Sequence, residues 1–223
     1  MSSHNHLQRF DDSMNIISDA VSAVLKHPLP TDELDPRGYR LGYKSLVMLG
    51  SRTDWLDPHA ILAMMYASYG WMPTVLKLRQ DWEQSARELG QLVTSLRICA
   101  RSKEEIFRIL THAGERGTLL SVNRSVVGTS KLLHFANPDL CPIWDKIIAT
   151  RFGYSASGQS HNSPAAYLSY SRAIHAWLDG HPSEIGRLAA LAGEDVGPLR
   201  RVEFALFLAA RIEGQPLDGP EKD

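Results

Sequence analysis

The chain is poor in the residues and patterns that define several large classes of protein. Its 223 residues include only two cysteines, Cys99 and Cys141, too few for a thiolate zinc site or a cysteine-ligated iron–sulfur cluster. They also provide no disulfide framework, so we expect a reducing, cytoplasmic setting. No apolar run approaches the roughly 18 residues of a membrane span, and the start "MSSHNHLQRFDDS" lacks a secretory signal pattern. The sequence therefore predicts a soluble protein with no membrane partner.

An excess of either charge is missing as well. There are 24 Lys and Arg residues against 25 Asp and Glu residues, which gives a net charge of −1. Any contact with nucleic acid must then come from a local patch, because the chain has no global cationic field. Cofactor motifs are also absent: there is no P-loop, no GxGxxG and no G-x-S-x-G elbow. The nine histidines show no metal-ligand spacing, so we expect neither a nucleotide cofactor, nor any other cofactor, nor a metal.

The period-two alternation of strands is lacking, whereas apolar positions recur at helical spacing along most of the chain. Helix starts are marked by Asp57-Pro58 and Ser163-Pro164, and by a capping box of Ser102 with Glu105. These signals predict an all-α fold of roughly ten short helices. The segment 200–210, "RRVEFALFLAA", is apolar on almost every side, which is typical of a helix in the centre of a core.

The stretch "SKLLHFANPDLCPIWDKIIATRF", residues 130–152, carries Lys131 near its start and Asp145 in its middle. Pro142 cannot continue a helix and Asp145 directly precedes the periodic run "KIIATRF", so Asp145 is predicted to be an N-cap. Backbone amides and the helix dipole keep such a carboxylate ionised. Two interpretations follow: a structural cap, or a fixed negative charge that faces a cationic transition state.

Basic residues are concentrated upstream of this stretch. The segment from Arg97 to Lys131 contains seven basic residues and only three acidic ones. The basic residues are Arg97, Arg101, Lys103, Arg108, Arg116, Arg124 and Lys131. The segment contains "SVVGTS", read as a Val-Gly turn whose backbone N–H groups would be open to a phosphate. The alternative is an ordinary solvated helix face.

Residues 124–152, "RSVVGTSKLLHFANPDLCPIWDKIIATRF", resemble the core of the helix-hairpin-helix DNA glycosylase superfamily. The resemblance includes the hairpin glycine, the helix of the catalytic-lysine region and the P-I-x-D that opens the next helix. Upstream, "LVMLGSRTDWLDPHAILAMM" is similar to an early helix and the polar loop after it, so the resemblance covers residues 46–152. Only the second glycine of the usual L-P-G-V-G is present, as Gly128, and the four-cysteine cluster loop of some members is absent.

The resemblance implies a particular architecture within one compact unit, 1–223. Two helical lobes would enclose a cleft: a barrel lobe with the hairpin at 46–145, and a second lobe of 1–45 plus 146–223. It also implies a function, because such proteins flip a damaged or modified base out of double-stranded DNA and hydrolyse its N-glycosidic bond. The product would be an abasic site. We expect a monomeric hydrolase that needs no cofactor.

The resemblance also assigns roles to residues. Asp145 would stabilise the positive charge that develops on the sugar, and Lys131 would be an amine nucleophile. Strict register from Gly128 instead puts Ser130 in the nucleophile position, which favours a monofunctional enzyme. DNA would be bound by Gly128, Thr129, Ser130 and Arg124, while Arg52 would fill the space left by the flipped base. The expected base pocket comprises Trp71, Tyr69, Trp144 and His134.

Each of these assignments has a plainer alternative. An aromatic stripe is typical of a core, and a lone histidine on an apolar helix is typically a hydrogen-bonded core residue. For the whole chain, the alternatives are a catalytically silent helical DNA-binding module and a helical protein-interaction domain. The sequence does not distinguish repair of cellular DNA from defence against phage DNA with modified bases.

Overall fold

The computed structural model describes residues 3–27, 39–71, 75–78, 80–99, 102–154 and 159–213. Within these ranges the regular secondary structure is helical and no strand occurs, which confirms the all-α prediction. There are ten α-helices in the described residues: α1 (Ser3–Lys26), α2 (Tyr39–Arg52), α3 (Pro58–Gly70), α4 (Trp82–Cys99), α5 (Lys103–Glu115), α6 (Val126–Ala136), α7 (Lys146–Arg151), α8 (Pro164–Gly180), α9 (Pro182–Ala192) and α10 (Pro198–Ile212). Short 3₁₀ turns lie at Thr118–Leu120 and Gln159–Asn162. None of the helices within the described ranges combines the length and apolarity needed to cross a bilayer.

The helix starts follow the signals in the sequence. Asp57 accepts a hydrogen bond from the His59 amide at 2.9 Å, directly ahead of the proline that opens α3. Ser102 accepts from the Glu105 amide at 3.2 Å, and Ser163 caps α8 through the Ala166 amide at 3.4 Å. Each of these side chains satisfies an amide that the helix itself leaves without a partner.

The chain divides into two compact units. The terminal unit comprises residues 1–34, 145–161 and 169–223, and the central unit comprises residues 35–144 and 162–168. In the terminal unit, α10 packs against α1, α9 and α7. Nine of its residues are buried, in agreement with the prediction for the segment 200–210. The lobe boundaries and the cleft inferred from the sequence stay predictions.

In the central unit, α2 packs closely against α6. A Cβ atom at Gly50 would collide with the carbonyl oxygen of Phe135, so only glycine allows this backbone approach. Arg97 of α4 joins the same two helices, because its Nη2 donates to the carbonyls of Gly50 at 3.1 Å and Ala136 at 2.9 Å. Partial burial lowers the pKa of Arg97. Arg97, one member of the basic stretch, therefore bonds the backbone of α2 and α6 and is not a contact for an external anion.

Candidate functional site

The turn that precedes α6 has an unusual backbone. The Ser125 amide donates to the Val122 carbonyl at 2.9 Å, and the two central residues, Asn123 and Arg124, both have a φ of 53°. Positive φ at both central positions is the pattern of a type I′ turn. The prediction that "SVVGTS" is itself the turn is wrong, because Ser125 is the N-cap of α6 and the following residues are helical.

Gly128 lies in the first turn of α6, not in the hairpin. A Cβ atom there would collide with the Tyr69 hydroxyl and would lie 3.2 Å from the Val122 carbonyl oxygen. Glycine therefore allows α6 to pack closely against α3 and the preceding turn without displacing the Tyr69 side chain. The Gly128 amide donates to the Ser125 hydroxyl at 3.4 Å.

The amides at the start of α6 are largely bonded within the protein. The side-chain oxygen of Asn162 accepts from the Val126 amide at 2.7 Å, and Ser125 takes the Gly128 amide. The Thr129 amide donates to the Ser125 carbonyl at 3.0 Å. The expectation of open N–H groups for a phosphate therefore does not hold for Val126 or Gly128.

The two hydroxyl groups expected to contact DNA are buried in α6. Thr129 Oγ1 accepts from the Val122 amide at 3.2 Å. Ser130 Oγ accepts from the Trp144 amide at 3.0 Å and lies 3.1 Å from the Trp144 carbonyl oxygen, to which it can donate. Ser130 therefore holds the backbone of the residue that directly precedes Asp145.

Two of the expected base-pocket residues are core residues. His134 and Trp144 are both fully buried. His134 Nδ1 lies 2.8 Å from the Cys141 carbonyl, so this nitrogen carries the proton and donates. Its Nε2 lies 2.9 Å from the Tyr43 hydroxyl. Both ring nitrogens are thus engaged, and neither residue presents a face to an extruded base.

The other two pocket residues also pack inside the central unit. Tyr69 is buried, and its hydroxyl lies against Gly128. Trp71 is half-buried and meets Phe135 edge to face, with ring centroids 5.3 Å apart. The four predicted pocket residues do not form a solvent-open group within the described part of the chain.

The three predicted basic site residues keep at least part of their side-chain surface exposed. Arg52, at the end of α2, and Arg124 are exposed. Lys131 is half-buried and has interactions of its own. Arg101, from the same basic stretch, lies outside the described residues.

Asp145 is the N-cap of α7, as predicted. Its Oδ1 accepts from the Ile148 amide at 2.8 Å, and the side chain is half-buried. No hydrogen bond from the described residues reaches its second carboxylate oxygen. At its other end, α7 is tied to α10, because both terminal nitrogens of Arg151 donate to the Glu213 carboxylate at 2.8 and 2.6 Å. The Asp145 carboxylate is thus fixed in place by the Ile148 amide, and its second oxygen can face a cation or a water molecule.

The turn between α2 and α3 contains a residue that the sequence analysis missed. Leu56 is 74% exposed, although Trp55 beside it is buried. Trp55 Nε1 donates to the Gly50 carbonyl at 3.0 Å, and the Leu56 amide donates to Asp54 at 2.9 Å. A firmly anchored turn thus presents a large apolar side chain to solvent. The signal in the sequence was the pair Trp55-Leu56 between two aspartates in "TDWLDP".

No protein-family model, curated protein or solved structure matches the chain at a significant level. Among the described residues there is also no group of three or more His, Cys, Asp or Glu side chains that could hold a metal ion. The functional assignment therefore depends on the chemistry of the individual residues.

Proposed function

We propose that the protein is a DNA glycosylase that hydrolyses the N-glycosidic bond of a damaged or modified base and leaves an abasic site. The observation that carries the proposal is Asp145: a half-buried carboxylate fixed by α7, with one oxygen held by an amide and the other without a bond from the described residues. Cleavage of the glycosidic bond develops positive charge on the deoxyribose, and a fixed carboxylate lowers that barrier. The resemblance of residues 46–152 to the helix-hairpin-helix superfamily supports the same role.

The environment of Ser130 supports a monofunctional mechanism. Its hydroxyl is bonded to the Trp144 backbone and is buried, so it is a structural group and not a nucleophile. Water would then attack the sugar, oriented by the second oxygen of Asp145. Lys131 is the remaining candidate amine in this segment, and a Schiff base at this residue would add strand cleavage to base removal.

Contact with double-stranded DNA would be made by exposed side chains. Arg124 would bind a phosphate. The sequence predicted that Arg52 fills the space of the flipped base; we instead assign that role to Leu56, the exposed apolar side chain that would enter the base stack as a wedge, and assign Arg52 to a phosphate. Arg52 ends α2, and Leu56 lies in the anchored turn that follows it. This arrangement suits base flipping, which requires a side chain to occupy the space of the extruded nucleotide.

The direct test is release of a base. The protein is incubated with DNA of several origins, including heavily modified phage DNA, and any free base is identified by mass spectrometry. We expect release of a particular base from one of these DNAs. The absence of a released base from every DNA, by a protein that still binds duplex, would contradict the proposal.

Borohydride trapping tests Lys131 separately. The monofunctional mechanism predicts no covalent adduct with an abasic duplex. An adduct that forms with the wild-type protein and is lost in Lys131→Ala would instead establish an amine nucleophile.

A second candidate is a catalytically silent DNA-binding module. The complete burial of His134 and Trp144 favours it, because those residues offer no platform for a flipped base. In that case the protein binds duplex DNA with strong salt dependence and releases no base. A protein with no affinity for DNA at any ionic strength would point to a helical protein-interaction domain.

A further inference from the structure

Arg124 occupies a backbone conformation that disfavours arginine. It is the second of two consecutive residues with a φ of 53°. The first, Asn123, tolerates the left-handed region well, but the second central position of a type I′ turn is normally glycine. A side chain with a Cβ atom at this position is retained only when the surroundings hold the backbone there.

Two side-chain amides supply that hold. Asn162 Nδ2 donates to the Arg124 carbonyl at 2.8 Å, and Asn162 Oδ1 accepts from the Val126 amide at 2.7 Å. Asn162 is 36 residues from Val126 in sequence, yet its side chain bonds the backbone on both sides of Ser125. One amide that satisfies a carbonyl and an amide two residues apart fixes the orientation of the peptide that follows Arg124.

The residue before Arg124 is held in the same manner. Asn123 Nδ2 donates to the Val75 carbonyl at 2.9 Å, and its Oδ1 accepts from the Lys77 amide at 2.8 Å. Arg124 is therefore flanked on both sides by side-chain amides that each bond a carbonyl and an amide two residues apart. Both belong to the central unit.

Nothing within the described residues explains why this position is an arginine. The side chain is exposed and forms no ion pair or hydrogen bond with any of them. Stability alone would favour glycine here, since glycine adopts this conformation without strain. The exposed guanidinium at this position is available to an external partner, and its planar donors suit the oxygens of a phosphate.

We infer that Asn162 is a positioning residue: its amide holds Arg124 in the left-handed conformation and so presents the guanidinium to a DNA phosphate. This inference rests on the proposed contact of Arg124 with DNA. It connects Asn162 with the surface proposed to bind DNA, although this residue lies outside the segment that resembles a known family.

A double-mutant cycle tests the inference. The variants are Asn162→Ala, Arg124→Ala and the double variant. Affinity for a short fluorescein-labelled DNA duplex is measured by fluorescence anisotropy, at a temperature below the unfolding midpoints of all the variants. We expect Arg124→Ala to weaken binding about tenfold and Asn162→Ala by roughly threefold or more, with the double variant close to Arg124→Ala alone. Asn15→Ala, an exposed position of α1, is the matched control and is expected to bind like the wild type.

A second measurement keeps the test valid if Asn162→Ala folds poorly. In an Arg124→Gly background the turn no longer needs to be held, so Asn162→Ala should lower the unfolding midpoint less than it does in the wild type. Arg124→Gly itself should raise the midpoint while weakening DNA binding as much as Arg124→Ala. Equal falls in both backgrounds would overturn the inference.

The outcomes separate this inference from the proposed function. If the wild type binds DNA and releases a base while Asn162→Ala binds equally well, the inference fails and the glycosylase remains. If the factors by which the two single variants weaken DNA binding multiply in the double variant, Asn162 does not act through Arg124 and the inference also fails. A wild type that binds no DNA would overturn both proposals, whereas binding without base release would overturn only the glycosylase.

Discussion

The N-termini of α6 and α7 differ in how their first amides are satisfied. At α6, a neutral serine cap and the amide of Asn162 bond the Gly128 and Val126 N–H groups. At α7, a charged cap, Asp145, bonds one amide through one oxygen. Both ends follow ordinary capping rules, but they leave different chemistry available.

The difference indicates which end suits which partner. Most backbone amides at the start of α6 are already hydrogen-bonded within the protein. An anion near this end must therefore be bound by side chains such as Arg124. The end of α7 carries a negative charge that repels phosphate and attracts a cation. Under the proposed function, the α6 end would hold a turn that contacts DNA, and the α7 end would stabilise positive charge on a sugar. The four predictions that follow test this division.

The largest effect is expected at the cap of α7. Asp145→Asn should reduce base release about 10²- to 10³-fold, because the charge that faces the developing cation is lost. Stability should change little, since asparagine is as good an N-cap as aspartate. Duplex affinity should be retained or improved. Base release in single-turnover assays, anisotropy and thermal unfolding are the measurements.

The matched control is Asp57→Asn, because Asp57 is also an aspartate cap and bonds the His59 amide. This variant should release base at close to the wild-type rate. Equal loss in both variants would show that the effect of Asp145→Asn is unrelated to catalysis.

The second prediction concerns the buried hydroxyl of α6. Ser130→Ala should lower the free energy of unfolding by about 1–3 kcal/mol, because the Trp144 amide would be buried without a partner. Urea unfolding measures the change. Ser68 is equally buried, but its hydroxyl has no partner within the described residues. Ser68→Ala should therefore be neutral or slightly stabilising, and a loss as large as that of Ser130→Ala would refute the structural role.

The third prediction tests which exposed surface enters the duplex. Leu56→Ser should leave stability within about 0.5 kcal/mol, since the side chain is mostly exposed. It should slow base release from duplex DNA roughly tenfold, while release from single strands, which need no wedge, stays unchanged. Ile98→Ser, at a side chain that is 66% exposed, is the control. If base release from single-stranded DNA and from duplex DNA slows by the same factor, Leu56 is not a wedge.

The smallest effect is expected at the other end of α7. Hydrogen bonding from Arg151 lowers the pKa of Glu213. A lowered folded-state pKa means that this carboxylate stabilises the fold above its unfolded pKa, and that the contribution is lost as pH falls through the folded value. Glu213→Gln should therefore lower the stability at neutral pH by less than about 1 kcal/mol, and the difference from the wild type should vanish as pH falls through the folded pKa. Unfolding midpoints measured at neutral and at acid pH check this, and an unchanged acid slope would contradict it.

Local signals in the sequence predicted much of the fold. Asp57, Ser102 and Asp145 all cap the helices that follow them, because a cap depends on residues within one turn of each other. The burial of α10 was expected in the same way, because the segment 200–210 is apolar on almost every side. Turn geometry was harder to predict: "SVVGTS" was expected to be a turn, whereas the turn lies at Asn123-Arg124, without the glycine that usually marks it.

The candidate site was only partly predictable. Asp145 was found because its role as a cap is local, but the burial of His134 and the exposure of Leu56 depend on which helices pack together. The role of Asn162 was not predicted for the same reason. Its partners are 36 and 38 residues away in the chain.

The sequence by itself determined the helical fold class, the caps and the identity of the charged residue at the start of α7, since these depend on neighbours along the chain. Tertiary structure alone decided which hydroxyls and amides are used internally, which arginine is held in a left-handed turn, and which leucine faces solvent. These properties arise from contacts between residues far apart in sequence, where hydrogen-bond satisfaction and close packing select a single arrangement.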